Sequence, residues 1–276
     1  MEQSAKNTIN KLKAGTFFHH IVQAAKERGE AVEDTIEWAV GLGYSAAELD
    51  ADDLPGTEFL AKKGMQVSSI YRNYRWNEKI DRGQMEDHVR IAERLGAKMI
   101  MAIPGFYSDK NHDRTELEKM HEGMAMLSAL ARENGLILTI EDYDNALSPI
   151  ATMEGMNTFL EAVPELMVTL DTGNFIFSEE DVLAAEDRFL SKIRHVHLKD
   201  RLWSCAGKGD ILESTGGRRM YPCAVGDGDI KMEAVLERLA EINYRGYVMT
   251  EFFGSESYAE NIEKSIANLQ RKGWVK

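Results

Sequence analysis

Short apolar runs alternate with longer amphipathic segments along the chain. The apolar runs are rich in β-branched residues and predict eight strands, at residues 16–22, 45–50, 65–74, 98–104, 137–143, 166–172, 194–200 and 247–253. Segments with a helical period follow them, at residues 32–41, 57–63, 84–95, 115–134, 151–163, 179–192, 231–242 and 258–271. Strands that alternate with helices are typical of a parallel sheet, and eight repeats favour closure into a barrel.

An open, doubly wound sheet is the alternative architecture with the same alternation. No Gly-x-Gly-x-x-Gly motif follows the first predicted strand, which argues against the dinucleotide-binding form of that sheet. No linker-like stretch divides the repeats. The sequence therefore predicts one α/β domain over residues 1–276, a single (β/α)₈ TIM barrel.

Composition and charge narrow the choice of partners. The 276 residues include 46 acidic and 33 basic side chains, for a net charge of −13. This acid excess argues against nucleic acid and anionic membranes as partners, because both attract clustered Lys and Arg. Cys205 and Cys223 match no zinc motif, so we expect free thiols in a reducing compartment. Without a signal-like or membrane-spanning apolar run, the sequence predicts a cytoplasmic protein.

Ionisable residues lie at or near the carboxyl ends of the last four predicted strands. These residues are Glu141, Asp171, His197 and Glu251. In a barrel those strand ends converge on one rim, where three carboxylates would repel one another without a cation between them. Oxygen ligands with one nitrogen suit Mn²⁺, Mg²⁺, Co²⁺ or Zn²⁺. The pattern predicts one divalent metal ion bound by these four side chains.

Several motifs give the chain a family resemblance. They are TIEDY at 139–143, LDTGN at 170–174, HVHLKD at 195–200, VGDGDI at 225–230 and GYVMTE at 246–251. With these motifs the sequence resembles the xylose isomerase-like barrel superfamily from about residue 15 onward, in its sugar phosphate isomerase/epimerase branch. That branch includes ketose 3-epimerases, hydroxypyruvate isomerases and inosose enzymes.

The resemblance implies a metal-dependent isomerase or epimerase that acts on a ketose, either a small sugar or a sugar phosphate. The metal ligands of relatives occupy the positions of Glu141, Asp171, His197 and Glu251. The two glutamates would serve as the acid–base pair around an enediolate that the cation stabilises, while Asp171 and His197 hold the cation.

Five further residues are predicted to contact the substrate or to support the site. Lys199 shares the strand face of His197, and Glu48 ends the second strand. Asn174 stands where the family often has a histidine that touches substrate. Arg72 and Trp203 are the other two candidates. A purely structural role stays open for Lys199, Glu48, Arg72 and Trp203.

Residues 201–229 form the longest segment without a clear period, and they contain six glycines. In a barrel this segment would rise over the C-terminal rim, where active sites lie. We expect it to close over the substrate, with Arg218 or Arg219 available to a phosphate. A disordered insertion is the alternative.

Three other functions remain as alternatives. An inosose-type dehydratase or lyase would begin with the same proton abstraction and then expel a hydroxyl group. An apurinic-site endonuclease on the same barrel needs more histidines and a basic surface, which the acidic composition does not favour. The third alternative is a non-catalytic sugar-binding barrel. The sequence leaves a homo-oligomer open.

Overall fold

Eight parallel strands close into a barrel in the computed structural model, which describes residues 11–111, 114–203 and 207–276. The barrel strands are β1 (Lys13–Phe17), β2 (Ala46–Asp50), β3 (Gln66–Asn73), β4 (Met99–Ile103), β5 (Ile137–Ile140), β6 (Met167–Asp171), β7 (Ile193–Lys199) and β11 (Tyr247–Glu251). β1 to β7 pair in chain order, and β11 joins β7 to β1. The predicted (β/α)₈ barrel is confirmed, and the open sheet is excluded.

Helices surround the barrel and connect its strands. They are α1 (Phe18–Arg28), α2 (Val32–Leu42), α3 (Arg82–Leu95), α4 (Arg114–Glu133), α5 (Met153–Ala162), α6 (Val182–Phe189), α7 (Met232–Glu241) and α8 (Tyr258–Arg271). Local sequence sets several ends: the Asp81 carboxylate accepts hydrogen bonds from the first turn of α3, and Gly96 ends that helix in the left-handed region. Within the described residues, no helix is long and apolar enough to cross a membrane.

The first predicted strand, 16–22, is wrong in its position. β1 ends at Phe17, and α1 begins at Phe18 and buries Ile21, Ala24 and Ala25. The apolar run TFFHHIV spans the strand-to-helix junction, so a short window shows β-rich composition although its second half already follows a helical spacing. Consequently two helices, α1 and α2, connect β1 to β2.

Two predicted helices are shorter in the structure. Residues 57–63 form two 3₁₀ turns, Thr57–Phe59 and Ala61–Lys63. The segment predicted at 179–192 contains α6, which begins only after Asp181 because that carboxylate caps the amides of Leu183 and Ala184.

The described part of segment 201–229 is ordered into a small antiparallel sheet. Its strands are β8 (Arg201–Leu202), β9 (Leu212–Glu213) and β10 (Arg219–Pro222), with β10 in the middle. Asp210 and Ile211, directly before β9, line the central cavity at the carboxyl end of the barrel. Cys223 is a free, partly buried thiol, and Cys205 lies outside the described residues.

The interior of the barrel is filled by side chains from alternate strand positions. On β7, His195, His197 and Lys199 share the inner face. Met249, which pairs in register with His197, approaches β1 so closely that a Cβ at Gly15 would lie 2.5 Å from its sulfur and 2.9 Å from the Ala46 carbonyl oxygen. A side chain at position 15 would therefore force the methionine or the neighbouring strand to shift.

Candidate metal centre

Four side chains meet at the carboxyl ends of four consecutive barrel strands. Glu141 follows β5, Asp171 ends β6, His197 lies on β7 and Glu251 ends β11. One ligand atom from each lies within 4.8 Å of all the others. The Nδ1 atom of His197 is 2.8 Å from Glu141 Oε2, 3.2 Å from Glu251 Oε2 and 4.0 Å from Asp171 Oδ2. The structure thus brings the four predicted ligands together.

The inward-facing atoms of this cluster have no hydrogen-bond partners among the described residues. Glu141 Oε2, Asp171 Oδ2 and His197 Nδ1 are all buried and unpaired in this sense. Buried polar atoms are seldom left unsatisfied, and three that face one point indicate a missing positive partner. Three carboxylates and one imidazole form a ligand set that suits a divalent cation with a preference for oxygen and nitrogen. The residues present therefore fit a metal ion.

The LDTGN sequence explains the orientation of Asp171. Its Oδ1 atom accepts hydrogen bonds from the backbone N–H groups of Gly173 and Asn174, both at 2.7 Å. Gly173 passes so close to β7 that a Cβ there would lie 2.7 Å from the Lys199 carbonyl oxygen. This tight turn holds one carboxylate oxygen on the backbone and leaves Oδ2 directed at the cluster.

Glu48 on β2 fixes the imidazole of His197 from behind. Its Oε2 atom lies 2.9 Å from Nε2 of His197 and 2.7 Å from Nε2 of His195. The two contacts hold the pKa of Glu48 at about 2, although burial alone would raise it. An ionised carboxylate only accepts hydrogen bonds, so both Nε2 atoms donate. His197 is left with Nδ1 facing the carboxylates, and a proton or a cation must lie between them.

The pKa values of the cluster report an excess of buried negative charge. Burial raises the pKa of Glu141, and it raises the pKa values of Asp171 and Asp142 well above the ordinary range. Burial alone would also raise the pKa of Glu251, but the positive charge of Lys199 and the contact with His197 outweigh it and lower the pKa. The two glutamates therefore occupy different electrostatic environments, and a cation at the centre would neutralise the excess charge.

Lys199 connects the cluster to its surroundings. Its ammonium group donates to Asn174 Oδ1 at 2.6 Å and lies 2.8 Å from Glu251 Oε1 and 3.5 Å from Asp144 Oδ2. Asp144 also binds Arg201, with 2.6 Å between Nη2 and Oδ2. Asn174 in turn donates to the Asp142 carbonyl. The ammonium group is thus held in place by three oxygen atoms beside a predicted catalytic carboxylate.

A cavity of about 360 Å³ opens beside this cluster of candidate metal ligands. Glu141, Glu251, Asn174 and Lys199 line it. Aromatic and apolar side chains form another part of its walls, among them Phe17, Tyr71, Met101, Ile103, Tyr143 and Phe253. The combination of flat apolar faces and a few convergent polar groups is typical of a small-molecule site.

The structure does not bring Arg72 and Trp203 to this cavity. On β3, Tyr71 faces the cavity, so strand alternation turns Arg72 outward, where it pairs with Asp52 and Asp87. Trp203 packs under the guanidinium group of Arg218, which itself pairs with Glu179. Glu48 contacts the site only through the two histidines. Among the described residues, Arg72 and Trp203 therefore contact groups outside the cavity.

Sequence reasoning missed other cavity residues, among them Asp50, Asp144, Arg201 and Asp210. Asp144 follows Glu141 by three residues in the same loop, and Arg201 follows Lys199 by two. Both could have been found by extending the strand-end argument into the loops that follow. Asp210 could not, because its position depends on the fold of a segment without period.

The chain belongs to the Xylose isomerase-like TIM barrel family, whose model matches residues 24–272. Among proteins of known activity, the inosose dehydratase of Clostridium perfringens is 28% identical over 197 residues, which cover 65% of this chain and 66% of that protein. The inosose dehydratase of Bacillus cereus is 28% identical over 263 residues, covering 85% and 87% of the two chains. The chain therefore spans just under two thirds of the first of these relatives.

Solved structures share the fold at lower identity. The probable 3-DHS dehydratase AsbF from Bacillus anthracis superposes with a TM-score of 0.72 at 14% identity, covering 94% of this chain and 99% of that one. The D-allulose 3-epimerase from Methylomonas sp., solved with D-allulose, gives 0.70 at 14% identity, with 95% and 97% covered. Dehydratases and epimerases thus share this architecture.

Proposed function

We propose that this protein is a divalent-metal-dependent enzyme that removes a proton from the carbon next to the carbonyl group of a polyhydroxy ketone. The observation that carries the proposal is the set of buried ligand atoms on Glu141, Asp171, His197 and Glu251, which lie within 4.8 Å of one another beside a cavity that the two glutamates line. When bound, the metal ion supplies positive charge that stabilises negative charge developing on the substrate oxygens.

Glu141 and Glu251 are the proposed proton carriers. Both line the cavity, and they end strands separated by β6 and β7 in the barrel, so they approach a substrate from different directions. Removal by one glutamate and return by the other gives an isomerase or epimerase, which is the function proposed here.

A dehydratase is the second candidate, and the inosose dehydratases found among the relatives favour it. The first proton abstraction is the same, and the two reactions differ in whether a neighbouring hydroxyl group then leaves. Lys199 lies 2.8 Å from Glu251 Oε1 and points into the same cavity. Its ammonium group could provide the proton that a departing hydroxide needs.

One experiment separates these reactions. The metal-loaded protein is incubated in ²H₂O with neutral ketoses and with 2-keto-myo-inositol, and the products are followed by mass spectrometry and NMR. An isomerase or epimerase incorporates one solvent deuterium without loss of mass in the product skeleton, whereas a dehydratase releases one water molecule. If no substrate shows metal-dependent exchange or water loss, the proposed function is wrong.

A further inference from the structure

We propose that the cavity takes an uncharged polyhydroxy ketone and rejects phosphorylated sugars, because the basic side chains among its described lining residues are each paired with a carboxylate of the chain and its other ionisable groups are acidic. This inference rests on the proposed function and names its substrate class.

The basic side chains of the cavity are the first part of the argument. Among the described lining residues, Lys199 and Arg201 are the basic ones, and both are almost fully buried. Asp144 binds Arg201 at 2.6 Å and lies 3.5 Å from Lys199, which is also 2.8 Å from Glu251. A phosphate at Lys199 would compete with the buried Glu251 carboxylate, and a phosphate at Arg201 would lie beside the partly buried Asp144.

Backbone donors are the second part. Barrel enzymes commonly bind phosphate with the loops after their last two strands and a helix N-terminus there. Here the loop after β7 directs the N–H groups of Gly226, Gly228 and Ile230 at the Asp200 carboxylate, at 2.8 to 3.2 Å. These three backbone donors already bind a carboxylate of the chain.

The helix after the last barrel strand is used in the same way. The N–H groups of Tyr258 and Ala259, at the start of α8, both donate to the Glu27 carboxylate at 2.8 Å. The neighbouring Gly254 donates to the hydroxyl group of Tyr258. In the described residues, these backbone donors after the last two barrel strands therefore already bind groups of the chain.

The remaining charge of the cavity is negative. Asp50 and Asp210 add two carboxylates to those of the cluster and Asp144, so the acidic groups outnumber Lys199, Arg201 and one divalent cation together. The arginines that the sequence suggested for phosphate lie elsewhere, since Arg218 packs on Trp203 and pairs with Glu179, and Arg219 is exposed on β10. Hydroxyl groups suit this lining, because they donate to carboxylates without bringing negative charge.

Matched ligands test the inference by binding, independently of turnover. Calorimetry with the metal-loaded protein compares 2-keto-myo-inositol and D-fructose with D-fructose 6-phosphate and with uncharged 6-O-methyl-D-fructose, and metal content is checked afterwards. We expect the phosphate ester to bind about 100-fold more weakly than D-fructose, since a like-charge contact costs several kcal/mol. The methyl ether should bind as tightly as D-fructose. Added KCl should reduce the difference in affinity between D-fructose and its 6-phosphate, because salt screens the repulsion between the phosphate and the carboxylates.

A variant pair ties the rejection to the cavity. Asp210→Asn should reduce the difference in affinity between D-fructose and its 6-phosphate, because it removes one negative charge from the cavity lining. Asp34→Asn, at an exposed position of α2, changes the net charge of the protein by the same amount. It should leave the difference in affinity between the two sugars unchanged. If the phosphate ester binds as tightly as D-fructose or more tightly, the inference is wrong. It is also wrong if the methyl ether binds as weakly as the phosphate ester, because that result would indicate exclusion by size. If no sugar binds, the inference also fails, whereas binding without deuterium exchange contradicts the proposed function alone.

Discussion

At the scale of single residues, the candidate centre is oriented by groups outside its four candidate ligands. Glu48 holds the Nε2–H of His197, and the backbone of Gly173 and Asn174 holds one oxygen of Asp171. In both cases the second contact decides which atom of the ligand faces inward. Orientation of the first ligands by outer partners is a general feature of metal sites.

Glu48→Gln should weaken metal binding. The amide removes the negative charge that makes the His197 imidazole a better ligand, and loss of such a partner typically costs about 10- to 100-fold in affinity. Calorimetric titration with Mn²⁺ measures the change, with Glu93→Gln on the exposed side of α3 as the matched control. Unchanged affinity in Glu48→Gln would show that His197 is held by other contacts.

Glu141→Gln and Glu251→Gln should each reduce kcat by about 10²- to 10⁴-fold, the usual contribution of general acid–base assistance. Glutamine keeps a carbonyl oxygen for the cation but cannot carry a proton. Elemental analysis of each variant must show retained metal, so that lost ligation is separated from lost proton transfer. Full turnover in both metal-loaded variants would place the proton transfers on other groups.

At the scale of elements, the segment after β7 is fixed to the barrel by a backbone contact at Asp210, in the connection just before β9 that we call the tip of the segment. The N–H of Asp210 donates to the Gly254 carbonyl at 2.8 Å, beyond the end of β11. Gly209, with φ of 92°, approaches so closely that a Cβ there would lie 2.4 Å from the same oxygen. This contact positions Asp210 and Ile211 over the cavity.

Gly209→Ala should raise KM for the ketone and leave metal affinity unchanged, because the added methyl group pushes the tip away from Gly254 without touching the ligands. Gly217→Ala is the matched control, since its φ of 84° imposes the same backbone strain while nothing lies within 4 Å of its Cβ. Equal effects of the two substitutions on KM would show that strain alone, and not the tip contact, matters.

A buried carboxylate makes the packing of α6 sensitive to pH. Glu186 is fully buried, both of its oxygens lack hydrogen-bond partners among the described residues, and burial raises its pKa from 4.5 to about 8. Between those values the folded state binds more protons than the unfolded state. The free energy of unfolding therefore falls as pH rises from 4.5 through 8, and Glu186 contributes no such slope below 4.5.

Glu186→Gln should remove this slope and raise the Tm relative to the parent at pH 8, with little difference at pH 4.5. Thermal unfolding over that range checks the expectation, with the exposed Glu237→Gln on α7 as control. If the Tm of Glu186→Gln depends on pH in the same way as the Tm of the parent, the titration of Glu186 does not cause the pH dependence.

At the scale of the whole molecule, the candidate centre joins half of the barrel. Its ligands come from β5, β6, β7 and β11, four strands that are consecutive in the closed sheet, although residues 141 and 251 are far apart in the chain. A cation there would bind only the folded barrel, so binding free energy would add to stability.

Adding Mn²⁺ should raise the Tm, with a gain of about 2.7 kcal/mol when the free ion reaches 100 times its Kd. EDTA should reverse the gain. His197→Ala should abolish the response to Mn²⁺ while circular dichroism shows the parent fold. An equal Tm shift in His197→Ala would place the stabilising ion elsewhere on the protein.

The sequence by itself determined the architecture and the four residues of the cluster. Strand–helix alternation is a local property, and parallel strands in a closed barrel must bring their carboxyl ends to one rim, so Glu141, Asp171, His197 and Glu251 could be placed together without coordinates. The first strand was misplaced because TFFHHIV combines the end of β1 with the start of α1, and composition does not mark that boundary.

Only the tertiary structure decided what surrounds the cluster. Arg72 faces outward because the residues on either side of it on β3 face the cavity. The role of Glu48 depends on two histidines that lie almost 150 positions away along the chain. The engagement of Lys199 and Arg201 by Asp144, and the filling of backbone donors by Asp200 and Glu27, are likewise long-range pairings. Such contacts have no sequence period, because they are set by loops whose paths follow from the packed barrel.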